Sequence, residues 1–600
     1  MRARHRGPIT SAVGRLIIDV ALNLLRLPFL PFWWLLRRMT MPRERWVHVK
    51  LRSRLVEVDR PLHILARFVP GLAARRPTSL TGLRELTTKI LGDANVEGVI
   101  WEIPSLHAGW GSAHAVRQLM TKLRDSGKHV VAWLPEGGGN RELFVASAAE
   151  RILTSPHATI APLGVAASSN YIKGLLDRFG VQVEVHRRAE FKTAAETAVA
   201  DSMSDAQREQ VGALLDTVDE ALVAALASRP GLDEAKVRTL FDDAIISARA
   251  ALQAGLIDGL CYEDGLPQAL AGDGKKPKVV RASHYYKFHR ARFFRPIGPR
   301  PFIAIVPIHG AITSGAGGPA IGGPPASQDA VIAAIRAVGR DPRAMGVVLH
   351  IESPGGSALA SDLIHREVEL LREKKPVVAC FGEVAASGGY YVAAPAHVIV
   401  AQPLAITGSI GVVSARLVLR DLLEGMGVHT EVIRRAPHAD LMGNPRPMDA
   451  DEHAILEREI DNFYRTFVSI VAKGRGRSEE EVEPLARGRV WSGRDAQSRG
   501  LVDKLGGLDV AIDEVRARIT FLPAALRTMI EPRVMWPRDG DAPPIPLAMA
   551  SAFGAAGSLG AIASRLGVAS QLEPAVTELL SLLQGPDRIL FYATGLPRID

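Results

Sequence analysis

Residues 346–351 read GVVLHI, residues 352–357 ESPGGS, and residues 382–391 GEVAASGGYY. Val347 to Ile351 form a short apolar run that ends in a glycine-rich loop. An amphipathic stretch, Asp362 to Lys374, has helical spacing. A second apolar run, Val377 to Phe381, leads into the second glycine-rich turn, and a third strand follows at Val398 to Ala401. Strands alternating with helices imply βαβ units and a mainly parallel sheet. The same grammar occurs earlier, with a strand at Val99 to Ile103, a helix at Ala113 to Asp125, and strands at Val130 to Leu134 and Ile152 to Thr154. Three short matches tie the copies together: GVIW at 98–101 with GVVL at 346–349, GVQVEV at 180–185 with GVHTEV at 427–432, and AGLID at 254–258 with RGLVD at 499–503. Their offsets, 248, 247 and 245 residues, are nearly constant, so two related domains follow one another. Longer helices are expected near 205–228 and 450–474.

The 600 residues suffice for several domains, and 47% hydrophobic with 23% charged residues is ordinary for a folded protein. The net charge of +9 suits a protein lying on anionic lipid as well as a nucleic-acid binder. Cys261 and Cys380 are far apart, so neither a zinc motif nor a disulfide framework is expected, and Cys380 reads as a buried strand thiol. Residues 1–45 form an N-terminal membrane-associated segment. Residues 16–36, LIIDVALNLLRLPFLPFWWLL, are long enough to span a bilayer. Asp19, Asn23 and Arg26 nevertheless share one helix face, as in an interfacial amphipathic helix anchored by Phe32, Trp33 and Trp34. One repeat then covers residues 46–270 and the other 301–530. Residues 271–300, rich in Lys, Arg and Pro, read as a basic linker or surface arm rather than a nucleic-acid site. Residues 531–600 form a tail of unassigned role, with 572–595 expected to be helical.

Ser387 sits among small residues at a strand-to-helix turn, where the N–H of the next residue, Gly388, can face an oxyanion. Gly355 and Gly356 can turn backbone N–H groups into a second anion site. A serine hydroxyl needs a base. None of the 17 histidines has a compelling place: His309 lies in a strand, His397 precedes one, and His438 is in a loop. A lysine can serve if its pKa falls towards neutrality.

The segments ESPGGSALASD, GEVAASGGYYVAAPAHVIVAQPLAITGSIGV and WSGRDAQSRGLVDKLGG together resemble the signal peptide peptidase A (SppA) family of serine–lysine proteases, in its long, duplicated form, over about residues 50 to 520. The resemblance implies two tandem ClpP/crotonase-like α/β domains, each a mainly parallel sheet with flanking helices. It implies Lys192, in RAEFKTAAE at 188–196, as general base, Ser387 as nucleophile, and Ser409, in ITGSIGV, as the lysine-orienting serine. The N–H groups of Gly356 and Gly388 become the oxyanion hole. At an offset of 247, Ser387 falls on Asn140 and Lys192 on Ala439, so each repeat lacks what the other supplies. The resemblance further implies a membrane-associated serine endopeptidase of the bacterial inner (cytoplasmic) membrane. Its substrates would be cleaved signal peptides and other short unfolded hydrophobic peptides. It would contact membrane lipid, assemble as a homo-oligomeric ring such as a tetramer, and need no cofactor, metal or nucleic acid. The chain departs from the family in its polar-interrupted N-terminal span and in its long tail. Two other readings share the fold: a crotonase-like acyl-CoA enzyme, which would not need Ser387, and an inactive membrane scaffold.

Overall fold

The computed structural model describes residues 8–40, 45–59, 77–244, 246–271, 274–294, 297–298, 300–315, 325–443, 446–537, 590–592 and 598–599. The chain divides into two compact units. One comprises residues 1–164, 219–302 and 342–345, and the other 165–218, 303–341 and 346–600.

The first unit is built on six strands in parallel, in the order Gly259–Leu260, Arg151–Thr154, His129–Leu134, Gly98–Glu102, Trp46–Lys50 and Val279–Arg281. Its central strands are apolar along their length because helices cover parallel sheets on both faces; Val99, Ile100, Trp101, Val130 and Val131 are all buried. The strand Val279–Arg281 and the helix Ala282–Arg290, with its buried Tyr285, correct the reading of 271–300 as a linker. Part of that basic segment completes the sheet edge, with Tyr285 buried and Tyr286, Phe288 and Phe293 partly buried, while Phe294 stays exposed.

The N-terminal segment also belongs here. It is helical over Pro8–Arg26 and Leu30–Thr40, joined by a 3-10 turn, Leu27–Phe29, in which Pro28 cannot donate a backbone N–H. One face docks on the protein. Arg26 donates to Phe293 O at 3.0 Å, Arg37 donates to Ala291 O at 2.9 Å, and the Trp33 ring meets that of Phe293 at 5.2 Å. The other face leaves Ile17, Leu24, Leu25, Phe29, Phe32 and Trp34 exposed. By length and composition Ile17–Met39 could cross a membrane.

The second unit has an eight-stranded, mainly parallel sheet. Its path runs Val490–Ser492, Ile406–Gly408, Val377–Ala386, Ala344–Ser353, Phe302–His309 and Glu531–Val534, with Val398–Ala401 and Lys504–Leu505 branching from it. Val347, Val348, Leu349, Val378, Ala379 and Cys380 are buried within it, as the apolar runs required. Beside it lies a six-stranded sheet in the order Gln182–Arg187, Val413–Val418, Leu590–Tyr592, Gly355–Ser357, Ile312–Thr313 and Ala326–Ser327. Two expectations change. Residues 165–218 fold into this unit although they belong to the first repeat in sequence. Residues 590–592, expected within a helix, form a strand; residues 572–589 and 593–595 of that expectation lie outside the described residues.

Candidate active site

The strand Val377–Ala386 pairs in parallel with Ile406–Gly408, bringing Ala386 opposite Gly408. The chain then breaks sharply. Ser387 has φ 54° and ψ −117°, a conformation costly for a residue with a Cβ, and its N–H is tied to Gly408 O at 2.8 Å. This strained strand-to-helix turn pushes the hydroxyl out of the strand line, as in other nucleophile elbows. The helix Gly388–Ala393 follows at once, and a Cβ added to Gly388 would lie 2.5 Å from Ser361 Oγ and 3.3 Å from Gly356 N. The two glycines named as oxyanion donors are therefore neighbours. Gly356, at φ 151°, tolerates no side chain, because a Cβ there would lie 2.0 Å from Ile312 O. Ser353 and Ser361 brace this loop: Ser353 Oγ accepts from Gly355 N at 3.2 Å, and Ser361 Oγ donates to Ser357 O at 2.8 Å.

Lys192 reaches Ser387 from the segment 165–218 of the same unit. The strand Gln182–Arg187 is locked antiparallel on Val413–Val418, and Ala194 and Ala195 pack on Val413 and Ala415. Phe191 N donates to Arg487 O at 3.2 Å. The backbone of Gly488, at φ 77°, leaves room for Lys192, since a Cβ there would lie 2.6 Å from the lysine's own Cβ. Arg489 stacks over Phe191 at 4.8 Å and over Trp491 at 4.4 Å. Gln210 bonds Thr193 Oγ1 at 2.7 Å and accepts from Val490 N at 3.3 Å, while Gln207 accepts from Thr193.

Held this way, Lys192 is 1% exposed. Its Nζ is in hydrogen-bond contact with Ser387 Oγ at 2.8 Å, Ser409 O at 2.9 Å and Ser409 Oγ at 3.0 Å, so a neutral amine can accept from the Ser387 hydroxyl while donating its two hydrogens to the Ser409 oxygens. Ser409 is itself left-handed, at φ 49°, and anchored by Arg489 O, which accepts from Ser409 N at 2.7 Å. Among the described residues no carboxylate pairs with Lys192. Burial alone pushes its pKa well below the usual lysine value, because a charge in a dry site without a counter-ion is costly. A neutral amine hydrogen-bonded to a buried serine hydroxyl is the arrangement that proton abstraction requires.

All five residues singled out from the sequence thus meet in one place. Ser353, Ser361, Gln210, Gly488 and Arg489 were missed. Only Gly488, in the Arg-Gly-Arg preceding Val490-Trp491, carried a local signal, that of a backbone position needing close approach. The histidines are engaged elsewhere. His309 Nε2 and His350 Nδ1 lie 2.7 Å apart beside Glu352. That is hydrogen-bond contact, closer than the roughly 3.3 Å between two ligands on a tetrahedral ion with bonds of about 2.05 Å.

Comparison with known proteins finds relatives that are named as proteases. Residues 122–275 and 369–520 match the model of Peptidase family S49. A protein of Arabidopsis thaliana named "Serine protease SPPA, chloroplastic" is 32% identical over 452 residues, covering 74% of this chain and 66% of its own length. "Protease 4" of Salmonella typhi is 32% identical over 479 residues, covering 76% of each chain. "Protease 4" of Haemophilus influenzae is 27% identical over 409 residues, covering 66% of this chain and 65% of its own length.

Proposed function

The chain belongs to Peptidase family S49 and is a serine-type peptidase, and from that premise we propose that Ser387 and Lys192 carry its reaction. Neutral Lys192 takes the Ser387 proton as Oγ attacks a peptide carbonyl. The tetrahedral oxyanion rests on the Gly356 and Gly388 N–H groups. Lys192 then returns the proton to the leaving amine, and water hydrolyses the acyl-enzyme. Ser409 keeps the amine aimed at Oγ. The observation that carries this reading is the 2.8 Å contact from Nζ of a fully buried lysine to Ser387 Oγ. An acyl-CoA enzyme of related fold would need neither member of that pair. Casein cleavage by detergent-purified protein tests the assignment: Ser387→Ala and Lys192→Met should each abolish it, and a wild-type rate in either would overturn it.

The substrates we assign are short unfolded hydrophobic peptides, cleaved signal peptides among them, met at a membrane. The bacterial relatives named Protease 4 and the exposed apolar N-terminal face point to membrane association. The inner membrane of a bacterium is our specific assignment.

We further propose a homo-oligomer, and the repeat supports that reading. Residues 182–187 pair with 413–418. Shifted by 247, the same pairing would join 429–434 to 166–171. Each of residues 427–434 is instead exposed, Val428 and Val432 about half and Ile433 84%. A segment left exposed in this way can add as a strand to the matching segment of a second copy. Such a contact is heterologous, and a heterologous contact forms a ring when its rotation closes.

A further inference from the structure

Two arginines tie the N-terminal helical segment to one strip of the first unit. Arg26 and Arg37 donate to the carbonyls of Phe293 and Ala291, and the Arg37 guanidinium stacks over the Trp33 ring at 4.9 Å and the Phe288 ring at 4.7 Å. The strip continues from the helix Ala282–Arg290, which follows the sheet-edge strand Val279–Arg281 and whose Tyr285 hydroxyl donates to Asp93 at 3.0 Å. The segment is thus fastened at two points, eleven positions apart in sequence, to backbone that is itself docked on the sheet.

That attachment decides how the segment can meet a bilayer. Ile17–Met39 has 23 residues and is about 34 Å long as a helix, only just more than a hydrocarbon core of about 30 Å. If it crossed, Arg26 would sit near the midplane and Phe293 would be drawn there with it. The exposed Arg290 and Arg292, just before Phe293, would then enter hydrocarbon. Lying in the plane of one leaflet removes the conflict. The exposed Leu24, Leu25, Phe29, Phe32 and Trp34 are immersed, and the strip stays at headgroup depth. Its charge suits that depth. Lys287 and Arg290 are exposed on one helix face, Arg292 is exposed beyond them, and the exposed Arg38 stacks over Trp34 at 5.4 Å. Residues 274–300 contain no Asp or Glu. Two carboxylates that meet this helix, Glu85 and Asp93, accept from Tyr286 and Tyr285.

We infer that this face binds an anionic phospholipid bilayer from one side, with the apolar side chains in the plane of a single leaflet and Arg38, Lys287, Arg290 and Arg292 on its phosphates. This rests on the membrane association proposed above and specifies its lipid and its geometry. A nucleic acid would satisfy the cations but leave the apolar face in water. Near an anionic surface each Lys or Arg contributes roughly a fivefold gain in partition.

The test is flotation of the full chain with phosphatidylcholine vesicles, with and without phosphatidylglycerol, for wild type and for Lys287→Gln/Arg290→Gln/Arg292→Gln. The wild type should bind the mixed vesicles more tightly, and less so as salt rises. The triple variant should lose about 10²-fold there and nothing on phosphatidylcholine alone. Lys287→Arg/Arg290→Lys/Arg292→Lys should bind as wild type, which separates charge from folding. Spin labels on Leu25→Cys and Leu35→Cys, in a Cys261→Ser background with Cys380 buried, report the geometry. These two positions should lie at one depth, whereas a spanning helix separates them by about 15 Å. Equal binding to both vesicle types, equal losses on both, labels at the two depths of a spanning helix, or tighter binding to a single-stranded oligonucleotide would overturn the inference and leave membrane association standing. Binding to neither vesicle overturns the membrane reading as well.

Discussion

Gly137–Gly139 followed by Asn140, and Val384–Ala386 followed by Ser387, occupy the same place in two copies of one strand-to-helix unit. In the first copy Asn140 turns inward: its Nδ2 donates to Gly164 O at 2.6 Å and its Oδ1 accepts from Leu163 N at 3.0 Å. In the second, Ser387 turns its hydroxyl to a lysine. The lysine shows the converse. Lys192 is buried, whereas its counterpart Ala439 lies in a surface turn. On the proposed assignment one copy supplies the nucleophile and the other the base, while the turn at Asn140 acts as a structural staple.

The largest effect that would sharpen this comparison is at Ser387. Its change to alanine should lower kcat by about 10⁶-fold, the scale seen when a serine nucleophile is removed. Asn140→Ser should rescue none of it in a casein assay, because no lysine answers it in that copy. Restored cleavage would break the comparison. Lys192→Met should cost roughly 10²–10⁴-fold in kcat, the usual worth of a general base. It should also raise Tm. Because burial holds the folded pKa of Lys192 below its unfolded value of 10.5, the unfolded chain binds more protons between the two values. Wild-type stability therefore falls as pH drops through that window, and the methionine variant, followed by calorimetry, should not share that fall. Gly388→Ala, crowding Ser361 and Gly356 N, should cost about 10²–10³-fold through a displaced oxyanion donor. Ser409→Ala removes one of the two Ser409 oxygens that accept from Nζ and should cost about tenfold, the equivalent of one hydrogen bond near 1.4 kcal/mol. Ile433→Lys should leave chemistry per assembled site unchanged but shift sedimentation towards the single chain.

Much of this was legible in the sequence because it is written in local patterns. Apolar runs of strand length, glycine-rich strand ends and a constant offset yielded the parallel sheets and the elements around Ser387. The helices over Trp110–Asp125 and Ala450–Arg475 end where their amphipathic spacing ends, the latter at Gly476 in a left-handed cap. Long-range choices were not legible. That residues 165–218 leave the first unit depends on the strand Gln182–Arg187 finding Val413–Val418 rather than a partner in its own repeat. Sequence similarity between the copies cannot express that exchange. The basic stretch 271–300 looked solvated because its charges dominate its composition, yet Val280 and Tyr285 suffice to dock it. The residues that brace Lys192, among them Gln210 and Arg489, are ordinary polar side chains whose role exists only once the two segments meet.

The proposed catalysis turns on a neutral, buried Lys192 acting on Ser387. Its most direct test is the pH dependence of kcat/KM for wild type and Lys192→Met. A single ascending limb is expected in the wild type, with a midpoint well below 10.5, and loss of both the rate and that limb in the variant. A Lys192→Met protein that keeps the wild-type rate and the same limb would contradict it.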